Sequence, residues 1–240
     1  MRARIYLVMA ATLSVMCAPA RVKTGAAQPV GTGSMWAWTE HDDSGHPIRI
    51  GITMTHDVLS GLPDSYDQVE LPLPGRFDVP PYEHVVVGWD PLGHNPAAYA
   101  VPHFDFIFYF APPETVGAIP PGPDSVPVPD HYRPPDYFGV LAEPAVGVHW
   151  GDTTASEMHG QPFTATFVYG FHNGGMIFLE PMVTSDFLER EPSFSAPVKQ
   201  PAQVQRTGFY PTSYSVKYNP KDSTISISLD GLRRREREVE

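Results

Sequence analysis

Residues 103–110, His103-Phe104-Asp105-Phe106-Ile107-Phe108-Tyr109-Phe110, decide the fold. Side chains alternate sides along an extended chain. As a strand, Phe104, Phe106, Phe108 and Phe110 form one continuous aromatic face, and His103, Asp105, Ile107 and Tyr109 form the other. A helical period would scatter the four phenylalanines around an axis. The strand reading extends outward. Phe163 to His172 and Gly175 to Val183 flank Asn173-Gly174, a pair suited to the two positive φ angles of a type I′ hairpin turn. Met35 to Glu40 and Ile48 to His56 flank the polar loop 41–47. Tyr66 to Leu73 and His84 to Trp89 are further strands, and Tyr214 to Tyr218 and Thr224 to Leu229 close the pattern. Proline makes up 28 of 240 residues, roughly 12% where about 5% is usual. Interior prolines remove helix hydrogen bonds and clash with the preceding turn. The expected fold is all-β: a single-domain sandwich or barrel, a cupin-like barrel included, with long proline-rich loops and one or two short helices. One helical turn is expected within 57–63. Another is expected to start at Thr184 or Ser185 as cap.

Residues 1–20 have the form of a secretory signal peptide. Arg2 and Arg4 precede the apolar stretch Ile5 to Met16, and Ala18-Pro19-Ala20 is an A-x-A site, with Gly25-Ala26-Ala27 as a second. The apolar run is shorter than the ~20 residues that span a bilayer. The expected organisation is signal peptide 1–20 (cleavage after 27 as the alternative), flexible linker 21–33, one β-rich domain 34–232 and a charged, frayed tail 233–240. The expected location is extracytoplasmic, periplasmic or secreted. Cys17 is the only cysteine. It falls in the leader, so cleavage leaves no disulfide, thiolate ligand or thiol nucleophile. Residues 112–135 hold nine prolines, which reads as a stiff surface connection or, alternatively, a lid. Residues 192–205 read as a linker. A net charge of −11 excludes a general nucleic-acid binder, which needs clustered Lys and Arg. The charged fraction is 18% and the aromatic fraction 12%. These proportions leave apolar strand surface that a second copy could cover, so a homo-oligomer is one expectation.

Serine-hydrolase, zincin, NTPase and dinucleotide signatures are absent. What remains is a set of histidines and acids beside strong strands. His94 lies in a Gly/Pro-rich turn, His103 and Asp105 share one face of the aromatic strand, and His149 lies in Gly147-Val148-His149-Trp150. Glu180 lies in Phe178-Leu179-Glu180-Pro181, with Glu157 in a loop between. A plain two-residue turn at Asn173-Gly174 places Phe167 opposite Glu180, so that Glu180 shares an apolar face with Phe163, Phe167 and Phe178. A carboxylate there is costly unless paired or metal-bound. Neutral imidazole and carboxylate suit zinc, iron or copper. The candidate ligands are therefore His94, His103, Asp105, His149 and Glu180. His103 and Asp105 are also a candidate catalytic acid–base pair that needs no metal. His41, His46, His56, His84, His131, His159 and His172 receive no role.

Three blocks resemble a bacterial extracytoplasmic family of unknown function known from a Thermus member. HVVVGWDPLGHNPAAYAVPHFDFIFYF (84–110) is similar to its GW-x-P-x-GH-x-P turn and PHFD-x-HFY strand. GVHWGDTTASEMHGQPFTATFVYGFHNGGMIFLEPMVTSDFL (147–188) is similar to its G-x-HW, FT-x-TF-x-YG and IFLEPM-x-T pattern. YPTSYSVKYN (210–219) is the third. The resemblance implies a mainly β extracytoplasmic domain and assigns no reaction. Ile107 stands where the family pattern has a second histidine. Three classes of function stay open: an exported domain that binds a small ligand, a partner or itself, a cupin-like metal enzyme, and a metal-free lyase or isomerase. The leader reading has a direct check. Protein recovered from periplasm or medium should begin, by intact mass, at Arg21 or Gln28, and Met1 retained on cytoplasmic protein would refute export.

Overall fold

The computed structural model describes residues 21–75, 78–122 and 124–238. The expected leader 1–20, with Cys17, lies outside the described residues. Sixteen strands are present among those described. They begin with β1 (Arg21–Thr24), β2 (Gln28–Val30), β3 (Gly33–His41), β4 (Pro47–Thr55), β5 (Asp67–Leu71), β6 (His84–Asp90) and β7 (His103–Tyr109). Next come β8 (Tyr137–Glu143), β9 (Gly147–Asp152), β10 (Ala165–His172) and β11 (Gly175–Thr184). The last five are β12 (Ser193–Pro197), β13 (Gly208–Tyr210), β14 (Ser213–Asn219), β15 (Thr224–Asp230) and β16 (Arg233–Arg235). Two four-residue helices, α1 (Pro113–Val116) and α2 (Ser185–Leu188), complete the regular structure with short 3-10 turns. The Thr184 hydroxyl caps α2 by accepting the Phe187 amide.

All strand pairs are antiparallel. The first sheet runs β1-β3-β4-β15-β14-β12, with β2 also on β3. The second runs β5-β6-β7-β11-β10-β9-β8, and β13 and β16 form a separate ribbon. Each large sheet ends in an open edge, so the molecule is a sandwich, and the barrel alternative, cupin-like included, does not hold. Edge strand β5 carries Asp67 and Glu70, charges of the kind that discourage further pairing.

The aromatic face of β7 builds the core. Phe104, Phe106, Phe108 and Phe110 are at most 1% exposed. They pack in one cluster with Ile50, Ile52, Ile225 and Ile227 of the other sheet. Burying each phenylalanine contributes roughly 1.5–3 kcal/mol. The Phe167 ring of β10 meets the Tyr214 ring of β14 across the sandwich at 5.3 Å.

The opposite face of β7 is buried as well: His103, Asp105, Ile107 and Tyr109 are all under 9% exposed. A second apolar cluster covers it. Tyr99, Val116, Ile119 and Phe163, from the connections between strands, pack on Ile107, Phe178 and Met182. The proline-rich segment 112–135 is thus partly interior rather than a surface connection. Asp124 ties it down by accepting from His172 Nδ1 at 2.8 Å and from the Asn173 amide at 2.9 Å.

Two expected linkers and part of the expected tail are paired instead. Residues 21–33 form β1 and β2 on β3, the 192–205 stretch contributes β12 to β14, and Arg233–Arg235 of the expected frayed tail pairs with β13. These strands are short and polar, β1 being exposed throughout. An exposed edge has no apolar alternation to reveal it. The strands β8 and β9 were not expected either.

The β10–β11 hairpin turns on Asn173 and Gly174 at φ 48° and 75°, the two positive values of a type I′ turn. The plain register then fails. Phe171 faces Met176, but Gly170 faces Phe178, leaving Ile177 as an extra residue. Val168, not Phe167, stands opposite Glu180. A one-residue bulge reverses the face of everything beyond it. Phe167 points into the sandwich, and Glu180 joins Phe178 and Val168 on the outer face of the second sheet.

Gly170 makes this arrangement possible. A Cβ there would lie 2.1 Å from the ring of Phe178, which is fully buried. Gly170→Ala should therefore destabilise the protein by about 1–3 kcal/mol in urea unfolding. Phe178→Leu in the same chain should recover part of the loss. An unchanged midpoint for Gly170→Ala would refute this packing.

Candidate metal centre

The five residues selected from the sequence converge on one place, the outer face of the second sheet beneath its covering loops. His103 opens β7, and Asp105 follows two residues later on the same face. His94 arrives from the turn after β6. There Asp90 accepts the Leu92 and Gly93 amides, and Gly93 takes φ 68° against the Tyr99 carbonyl. Any Cβ at Gly93 would overlap that oxygen at 2.2 Å, so only glycine lets the turn fold back this tightly. The His94 ring then stands 4.9 Å from the His103 ring, nearly perpendicular to it.

One nitrogen or oxygen each from His94, His103 and Asp105 lie within 4.8 Å of one another. His94 Nδ1 is 2.8 Å from the Asn95 carbonyl, and His103 Nδ1 is 2.7 Å from the Val101 carbonyl. A carbonyl only accepts, so both imidazoles carry their proton on Nδ1 and keep a lone pair on Nε2. Backbone anchoring of one ring nitrogen is the usual support of a metal-ligating histidine. His103 Nε2 lies 3.3 Å from Asp105 Oδ1, yet both atoms are buried without a hydrogen-bond partner. At this distance the two atoms can share a proton or a bound cation. Burial pulls the His103 pKa down, but Asp105 more than offsets this, so the ring binds positive charge readily.

His149 and Glu180 form the adjoining pair. His149 on β9 stands opposite Gly170, and Gly170 opposite Phe178, so the missing side chain leaves room for both rings. His149 Nε2 lies 3.3 Å from Glu180 Oε2. The His149 ring is 6.3 Å from that of His94. Glu180 is fully buried, and both its oxygens and His149 Nδ1 lack hydrogen-bond partners. Burial opposes the charge on His149, but Glu180 outweighs it and pushes the pKa up to about 9. Burial raises Glu180 against the opposing pull of His149. The pair holds one proton between its members at neutral pH. Glu157 is buried near Tyr99 instead and stands apart from the five.

A cleft of about 520 Å³ opens on the centre, lined by Tyr66, Asp90, His94, Asp105, Glu143 and Val146 among others, with no Lys or Arg in its lining. An adjoining cleft of about 200 Å³ extends it past Ile107, Tyr109 and Val86. Burial raises the Tyr66 phenol, and the carboxylates of Asp105, Glu143, Glu180 and Asp90 add to the effect. Tyr66, Asp90 and Glu143 were not singled out from the sequence. They come from three separate segments and share no motif, so only the tertiary structure could collect them.

Residues 42–89 match the family described as TTHB210-like: hypothetical protein TTHB210. This is the Thermus family of unknown function whose motifs the sequence resembles. No curated protein and no solved structure matches the chain. The TTHB210-like match runs from the loop after β3 to Trp89 of β6 and ends before all five site residues. It therefore describes the scaffold leading into the centre and assigns no ligand.

Ile107, the departure from the resembled pattern, is 4% exposed and lies on the same face as Asp105 and Glu180. It also lines the adjoining cleft, so an imidazole of similar volume can be accommodated there. Ile107→His should raise zinc affinity, and His103→Ala in the same chain should abolish the gain. Without metal the variant should lose roughly 1–3 kcal/mol, the cost of a buried unpartnered polar group. Thermal melts with and without zinc check this. A variant that melts lower and gains nothing from zinc would refute the placement of residue 107 at the centre.

Proposed function

We propose that this is an extracytoplasmic protein that binds one transition metal ion through His94, His103 and Asp105 and presents it to a small molecule in the cleft. The observation that carries the reading is the cluster of His94, His103 and Asp105, with one donor atom from each within 4.8 Å of the others and both rings anchored through Nδ1 to backbone carbonyls. Imidazole with carboxylate is the donor chemistry of zinc, iron and copper, and three protein donors leave a fourth position open in a tetrahedral shell. Export is supported by the leader pattern of residues 1–20. The metal-binding reading is favoured over a metal-free acid–base pair because a third donor, His94, joins His103 and Asp105 within 4.8 Å.

Chelator-treated protein titrated with zinc should take up one ion per chain. His103→Ala and Asp105→Asn should each weaken uptake at least as much as the loss of an outer-shell partner, about 10–100-fold. Protons compete for the imidazoles. Because the His103 pKa is raised, affinity should already fall as pH drops toward about 6.5, the ordinary histidine value. Zinc uptake unchanged in both variants would refute the assignment.

A further inference from the structure

We infer that the centre is hydrolytic, with Glu180 as the base that takes a proton from a metal-bound water and the cleft as the site of an uncharged or cationic acyl ester. This rests on the metal reading above. Structural zinc sites are closed by four protein ligands, whereas catalytic ones keep one position for water. Here a cleft of about 520 Å³ reaches two of the three donors, His94 and Asp105, directly.

Glu180 is placed for the role. Met182 is the cross-strand partner of Asp105, and Glu180 stands two residues along on the same face, a diagonal neighbour at about 7–8 Å. A water bound to an ion at Asp105 spans such a gap. Glu180 Oε1 is buried and unpartnered, so it is free to accept from that water, while His149 Nε2 at 3.3 Å from Oε2 holds the carboxylate in place. The substrate's charge follows from the lining. Asp90, Asp105 and Glu143 face the cleft without a Lys or Arg, and a one-sign field of this kind repels anions.

The step balances without a redox partner. Water on the ion gives one proton to Glu180, and the resulting hydroxide adds to the acyl carbon. The bond from that carbon to the departing oxygen breaks, and the proton on Glu180 passes to the departing alkoxide, leaving acid and alcohol.

The test uses the full zinc-loaded chain, with zinc content measured alongside turnover. Methyl 4-acetoxybenzoate should be hydrolysed in a zinc-dependent manner, faster than by the same concentration of free zinc. Its anionic counterpart, 4-acetoxybenzoate, should be turned over more slowly, and Glu143→Gln should narrow the difference. Glu180→Gln should keep its zinc and lose about 100-fold or more in kcat, the usual contribution of a general base. Should that variant fail to fold, His149→Gln serves, with kcat lowered and KM unchanged. Zinc uptake without zinc-dependent hydrolysis would overturn this inference alone. Preference for the anionic ester would also overturn it, as would a zinc-loaded Glu180→Gln chain working at the wild-type rate. Failure to take up zinc at all would overturn the metal reading with it.

Discussion

Strand β7 is buried on both of its faces, and the rest of the structure follows from that. Its phenylalanine face can leave water only against another sheet, which requires the sandwich. Its other face carries His103 and Asp105 beside Ile107 and Tyr109. Covering that face removes an acid from water, and Glu180 on the neighbouring strand goes with it. An ionised carboxylate in a protein interior costs several kcal/mol unless a positive partner is supplied. His149 serves Glu180 in this way. Asp105 has the His103 imidazole 3.3 Å away, and the proposed cation would be shared by these two and His94.

The cover is as specific as the sheet beneath it. The loop carrying His94 folds back because Gly93 alone fits against the Tyr99 carbonyl. The proline-rich segment lays Val116 and Ile119 on the sheet and is held by Asp124 at the β10–β11 turn. Stiff, proline-dense chain loses little conformational freedom on being fixed, which suits a lid that must stay down over polar groups. The cover stops short over Asp90, Asp105 and Glu143, and the opening left there is the cleft.

The distribution of hydrogen bonds separates chemistry from scaffold. Elsewhere several acids have local partners: Arg49 bridges Glu40 and Asp230, and Lys199 bridges Asp136 and Asp152. At the centre, two imidazole–carboxylate pairs, His103 with Asp105 and His149 with Glu180, stand at 3.3 Å with no other hydrogen-bond partner on His103 Nε2, Asp105 Oδ1 or the Glu180 oxygens. Buried polar groups are nearly always hydrogen-bonded, and this group of exceptions beside a cleft is what the proposed metal site rests on. The TTHB210-like segment ends just short of it.

Much of this was legible in the residues. Alternation along 103–110 determined a strand with an aromatic face and a polar one, Asn173-Gly174 determined a type I′ hairpin, and proline content excluded a helical fold. The five candidate residues, which the fold brings together, could be chosen because imidazoles and carboxylates beside apolar strands are costly to keep unpaired. Tertiary structure decided the rest. Whether two sheets stay open or close into a barrel depends on which edges meet, and edge pairing uses backbone groups that every residue has. The short polar strands β1, β12 and β16 were hidden for the same reason, since their partners, not their side chains, make them strands. The face on which Glu180 stands depended on one unpaired residue, Ile177. A period-two pattern cannot announce its own interruption, so only the strand packed alongside could show that Glu180 turns away from Phe167 and toward His149.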